Sequence, residues 1–235
     1  MTVHSIMAEL KSKGSDSIKK ILLRHGVKEP FFGVKVEDLK VIQKRVKKDY
    51  QLSKDLYSTG NADAMYLAGL IADESQMTKK DLSVWVEQAL SNNINEYTVP
   101  WIAAESPFGY ELAMEWIDNK KESIAVAGWA TLNNLVMIRP DNELNIPALK
   151  SLLKRVERTI HSSDNRVRSV MNNFVIALGS YVLPLTQEAI AAAKAIGAVT
   201  VVKEGTACKI PGAGEYIQKK KDKGALGKKK KMARC

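Results

Sequence analysis

Two stretches of this chain repeat each other. AGWATLNNLVM (127–137) and RVRSVMNNFVI (166–176) superpose at an offset of 39 residues, which sets Asn133-Asn134 on Asn172-Asn173 and Leu135-Val136 on Phe174-Val175. Asn92-Asn93, 41 residues before the first pair, is a fainter echo. A unit near 40 residues holds two helices, and a lone pair cannot enclose its own apolar face; copies must stack on their neighbours.

The rest of the chain keeps the same helical rhythm. Ile6 and Leu10, then Ile18, Ile21 and Leu22, recur at helical spacing, with Gly14 and Gly26 as stops. Residues 36–50 put Val36, Leu39, Ile42 and Val46 on one stripe, and helices follow over 61–72, 79–90, 107–118, 121–138, 144–160, 164–182 and 185–196. Thr78, Ser106, Ser163 and Thr186 stand where N-caps belong. Only Val199–Val202 reads as β, too short to build a sheet. The pattern predicts an all-α fold, a right-handed α-solenoid of HEAT/armadillo-like helical repeats over 1–197. A short extension packed on it (198–217) and a flexible Lys-rich tail (218–235) complete the chain.

Charge is distributed unevenly. Residues 203–235 hold eleven of the 36 Lys+Arg but three of the 26 Asp+Glu, so the body is nearly neutral and the end is strongly basic. A Gly-interrupted lysine run, KKKDKGALGKKKK, suits a polyanion, and nucleic acid is the first partner it suggests. Such a run buries little, so its removal is expected to leave the thermal midpoint unchanged. No stretch of about 18 apolar residues is present to span a membrane, and MTVHSIMAELKSKG lacks the apolar core of an export signal. Two cysteines, Cys208 and Cys235, make no disulfide framework. A cytoplasmic, nucleoid-associated protein is expected.

No catalytic or metal motif stands out. His4, His25 and His161 are far apart in sequence, no phosphate-binding glycine loop occurs, and PGAGEYI (211–217) lacks the preceding strand that a phosphate cradle needs. Cys208, beside Lys209, is read as an inert thiol. No cofactor and no metal is expected. The four tryptophans, Trp85, Trp101, Trp116 and Trp129, fall one per successive helix and are read as core.

The segment FFGVKVEDLKVIQKRVKKD (31–49), preceded by IKKILLRHGV and followed by ADAMYLAGLIAD (62–73) and LSVWVEQAL (82–90), resembles the HEAT-like DNA alkylation repair family typified by the AlkD glycosylase. Phe32-Gly33-Val34, then Leu39-Lys40, is the most recognisable phrase, and the similarity extends from about residue 15 to 180. The resemblance implies a DNA-facing inner surface. It also implies a W-D-x-x-D segment whose last Asp supports loss of an alkylated base, with tryptophans walling the lesion. Here that window reads SNNINEYTVPW (91–101), without Asp; Pro100 falls near the expected Asp, Asn173 near a downstream Trp, and Val126 at an expected Arg. Glu96 is the one carboxylate in the window and the weak catalytic candidate.

The favoured function is therefore a non-catalytic DNA-binding member, holding duplex DNA, damaged or intact, on a basic concave face. The expected phosphate contacts are Lys44, Arg45, Lys47, Lys48, Arg166, Arg168, Lys219, Lys220, Lys221, Lys228, Lys229, Lys230 and Lys231, which fix position without reading sequence. Tyr97, Trp101, Asn134 and Asn173 are candidates for the groove. A glycosylase with a rearranged pocket is the first alternative. An armadillo-like peptide-binding module is the second, because GWATLNNL (128–135) carries the Trp and Asn that clamp extended peptides.

Overall fold

The computed structural model describes residues 1–202 and 210–234; Lys203, Cys208, Lys209 and Cys235 lie outside them. Every regular element among the described residues is helical. The chain forms two compact units, 1–108 with Arg234, and 109–202 with 210–233.

The first unit contains α1 (Val3–Lys13), α2 (Asp16–Arg24), α3 (Val36–Val46), α4 (Tyr50–Ser58), α5 (Ala62–Ile71), α6 (Lys79–Gln88), a π turn (Ile94–Thr98) and α7 (Val99–Glu105). Its centre is α5, whose sequence ADAMYLAGLI has apolar residues on all sides and is buried at all but Tyr66. A helix apolar all round needs neighbours all round, and α3, α4, α7 and the π turn supply them. Asn61 starts α5 by accepting from the N–H groups of Asp63 and Ala64. Tyr57 of α4 stacks on Trp85 of α6 at 4.1 Å and donates its hydroxyl to the Trp85 carbonyl at 2.6 Å.

The second unit contains α8 (Gly109–Trp116), α9 (Glu122–Ile138), α10 (Ile146–Thr159), α11 (Asn165–Tyr181), α12 (Thr186–Ile196) and α13 (Ala213–Asp222). The two repeat copies are α9 and α11, equal in length and packed along each other, with Trp129 edge-on to Phe174 at 5.3 Å. Gly128 lets α9 approach the end of α8: a Cβ there would lie 2.7 Å from the Ile117 nitrogen. All four tryptophans are at most 4% exposed, so each is core.

The helix spans read from periodicity recur to within a few residues, with α3 ending at Val46, whereas α4 and α7 are not among them and the caps differ. Thr78 forms a capping box with Asp81. Ser106, by contrast, ends α7, and Thr186 lies inside α12 with its hydroxyl on the Gly179 carbonyl. Ser163 donates to the Thr159 carbonyl, and Asp164 takes the N-cap position of α11. Val199–Val202 forms no strand.

The chain is helical across residue 218, because Ile217 is fully buried against α11 at Gly179, where any side chain would collide with it. Beyond α13, Lys229 and Arg234 are held by the body rather than solvated.

Candidate nucleic-acid interface

The basic residues at the end of α3 divide into tied and free. Arg45 places one terminal nitrogen 2.6 Å from both Glu9 carboxylate oxygens, and Lys48 pairs with Glu74 at 2.5 Å. Lys44 and Lys47 are exposed and make no ion pair among the described residues. Lys47 adopts φ 64° and ψ −134°, a conformation that costs a non-glycine residue about 1–3 kcal/mol. It is held there by its N–H on the Gln43 carbonyl at 2.7 Å, and by the turn that follows, where the Asp49 N–H reaches the Ile71 carbonyl at 2.8 Å.

On α11, Arg168 is committed to structure. Its guanidinium donates to the carbonyls of Ser163 and Thr200, at 3.0–3.3 Å, and Asn165 makes a reciprocal pair with the Val202 backbone. Arg166 is half-buried, and its backbone N–H donates to Glu122 at 2.7 Å. Sequence reasoning offers both arginines as phosphate contacts on candidate inner or rim helices; the Thr200 carbonyl that Arg168 faces comes from chain brought back by the fold.

In the C-terminal segment, Lys219, Lys221, Lys223, Lys228, Lys230 and Lys231 are exposed and make no ion pair among the described residues. Lys220 lies 4.7 Å over the Tyr181 ring. Lys229 is turned inward: its ammonium donates to the Val136 carbonyl at 2.9 Å and meets Asp141 at 2.7 Å. Of the thirteen proposed phosphate contacts, Lys44, Lys47, Lys219, Lys221, Lys228, Lys230 and Lys231 are therefore the ones with unengaged ammonium groups.

The window 91–101 has an unusual backbone with a local cause. Pro100 offers no N–H, and its ring would strike the carbonyl four residues back in a regular helix. The chain widens into the π turn, where the Val99 N–H reaches the Ile94 carbonyl. Glu96 is half-buried on this turn. Tyr97, 49% exposed, leans on Trp101 at 5.9 Å, and Trp101 meets Tyr66 edge-on at 5.5 Å. The Oγ of Ser91, Oδ1 of Asn93, Oδ1 of Asn95 and Oγ1 of Thr98 are buried without a hydrogen-bond partner among the described residues. Trp101 is a core indole and Pro100 is buried, so neither offers a surface to a ligand.

Phe32-Gly33-Val34 has a structural role. The three backbone N–H groups converge on the Asp63 carboxylate at 2.6, 3.0 and 3.3 Å, a nest filled by the protein's own acid. Burial raises the Asp63 pKa and outweighs these three donors, which lower it. Gly33 has φ 81°, which suits it to this bend. Sequence reasoning named the FGV phrase but missed Asp63, although a lone acid inside an apolar helix was a visible signal.

The asparagine pairs separate in an unforeseen way. The first of each pair braces: Asn133 Nδ2 donates to the Val170 carbonyl at 3.3 Å and Asn172 Nδ2 to the Pro211 carbonyl at 3.0 Å. Asn134 is buried and Asn173 exposed. Trp129 is fully buried and has no face for a peptide. Among the described residues, no three His, Cys, Asp or Glu side chains converge to hold a metal, and no single helix is long and apolar enough to cross a membrane.

Stacked helical pairs with a basic C-terminal segment define the class, an all-α HEAT-like repeat protein. The sequence pattern of the DNA alkylation repair enzyme family matches residues 6–217, and the chain belongs to that family. It is 29% identical over 229 residues to the uncharacterized protein Lin0241 of Listeria innocua, covering 95% of this chain and 99% of that one. Identity and coverage are the same for the uncharacterized protein Lmo0209 of Listeria monocytogenes. A solved structure matches over 100% of both chains, with TM-score 0.92 and 36% identity. It is described as representing a new family of proteins related to the HEAT-like repeat DNA glycosylases with affinity for branched DNA structures.

Proposed function

We propose that this protein binds DNA, branched structures in particular, through backbone phosphates, and does not excise bases. The observation that carries the reading is the set of exposed lysines without ion-pair partners, Lys219, Lys221, Lys223, Lys228, Lys230 and Lys231, on an otherwise nearly neutral body. The branched preference rests on the solved relative's described affinity. Phosphate contacts carry little sequence information, so selection falls to DNA shape.

Absence of excision is supported by the window 91–101. Base loss needs a carboxylate beside the developing positive charge on the sugar, and an aromatic wall to hold the flipped base. Here Pro100 stands near the acid's place, the indoles belong to the core, and Asn173 replaces the downstream indole. The test pairs a mobility shift on four-way-junction and linear DNA with base release from DNA carrying 7-methylguanine or 3-methyladenine. The reading expects retention of the junction and no release above a no-protein control; enzyme-dependent release would refute the non-catalytic part.

One observation favours a second reading, excision by Glu96: it lies on a π turn beside four unpartnered polar atoms, and such turns recur at functional sites. Release that disappears in Glu96→Gln would establish it.

A further inference from the structure

The last four carbonyls of an α-helix have no partner within the helix and carry its partial negative charge. At the ends of α9 and α11, partners for three of these carbonyls come from the lysine segment. The Val136 carbonyl receives the Lys229 ammonium at 2.9 Å, and the Met137 carbonyl the Lys230 N–H at 2.8 Å. The Ser180 carbonyl receives the Gly227 N–H at 2.9 Å. Asp141 closes the arrangement, pairing with Lys229 at 2.7 Å and accepting the Leu183 N–H at 3.1 Å. Gly227 has φ 70°, and a Cβ there would lie 2.7 Å from Leu183 Cγ, so the chain seats here only as glycine.

We infer that residues 224–231 are a docked basic ridge: Lys229, Gly227 and Asp141 position it so that Lys228, Lys230 and Lys231 meet DNA phosphates already ordered. This rests on the DNA-binding reading above and makes those three residues positioning residues. A free arm would lose lysine and backbone freedom on the DNA; a docked ridge has lost much of it on folding. One consequence separates the two. Charge alone makes Asp141→Asn, which removes one negative charge, a tighter binder; docking makes it a weaker one, since Lys229 loses its ion pair.

The test uses the full-length protein, fluorescence anisotropy with a labelled four-way junction and a linear duplex at fixed salt, and trypsin cleavage within 228–231. Asp141→Asn and Gly227→Val are measured beside Lys228→Ala/Lys230→Ala/Lys231→Ala, at a temperature where all remain folded by circular dichroism. The expected result is junction affinity roughly tenfold weaker for both undocking variants, from the cost of ordering three lysines, with faster tryptic cleavage. The triple variant should bind with a salt slope shallower by about 3. Unchanged or tighter binding by Asp141→Asn and Gly227→Val, with faster cleavage, overturns the ridge while DNA binding stands. An unaltered triple variant also overturns it. Failure of the wild type to bind either DNA overturns the DNA-binding reading and the ridge together.

Discussion

Replacing Asp63 tests what the Phe32-Gly33-Val34 phrase is for. Its carboxylate accepts three backbone N–H groups, and the Gly33 and Val34 bonds are fully buried. Asp63→Ala leaves those two donors without an acceptor, at about 1–3 kcal/mol each, partly offset because a buried carboxylate no longer has to be desolvated. We expect a net loss of about 3 kcal/mol. Asp63→Asn keeps one acceptor oxygen and the shape, and should lose less than half as much. The pH dependence has a definite sign. Burial raises the folded-state pKa above 3.8, so the folded protein holds this proton more tightly than the unfolded chain. The resulting stability is present below pH 3.8 and is lost as pH rises through the folded pKa. Urea denaturation from pH 3.5 to 7 should therefore show wild type losing ground to Asp63→Asn as pH rises. A loss under 1 kcal/mol for Asp63→Ala, or the opposite pH trend, would refute the nest as the reason for the phrase.

Asp81 behaves oppositely. Hydrogen bonds from Lys54, Thr78 and Tyr50 outweigh its burial and lower its pKa to about 2, so its contribution, at most about 2 kcal/mol, is present above pH 3.8 and is lost as pH falls toward 2; Asp81→Asn should flatten acid denaturation there. Asn172→Ala should cost about 1–2 kcal/mol by leaving the Pro211 carbonyl without its donor, whereas Asn173→Ala on the exposed face should be neutral, both read by thermal melting. Deleting residues 224–235 removes the bonds to Val136, Met137 and Ser180 together with Arg234, whose guanidinium donates to Glu105 and the Ala72 carbonyl. The midpoint should fall by roughly 5–10 °C; no change would mean that the segment only solubilises.

Helices were legible because burial imposes a 3.6-residue period on the sequence itself. The repeat was legible because α9 and α11 meet the same environment on one another. The bracing asparagine in each pair was not, since its partner carbonyls, at Val170 and Pro211, lie 37 and 39 residues away. The contacts of the lysine segment are equally remote in sequence. Locally it has the composition of a solvated arm, but what fixes Lys229 is the end of a helix 93 residues earlier in the chain. Pro100 reads in the sequence as a lost catalytic position, but its local meaning is structural: a proline at the ninth residue of a helical run that begins at Asn92 forces the backbone to widen. Ser106, Ser163 and Thr186 have cap chemistry, yet nearby carbonyls claimed their hydroxyls.

Recognition of DNA through phosphates is read out by the salt dependence of junction binding. Six exposed lysines on 219–231 are available, and each phosphate neutralised contributes about −0.9 to the slope of log K against log salt on duplex arms. The expected result is a linear fall with a slope steeper than about −3. Junction binding that is absent at low salt, or that is indifferent to salt, would contradict it.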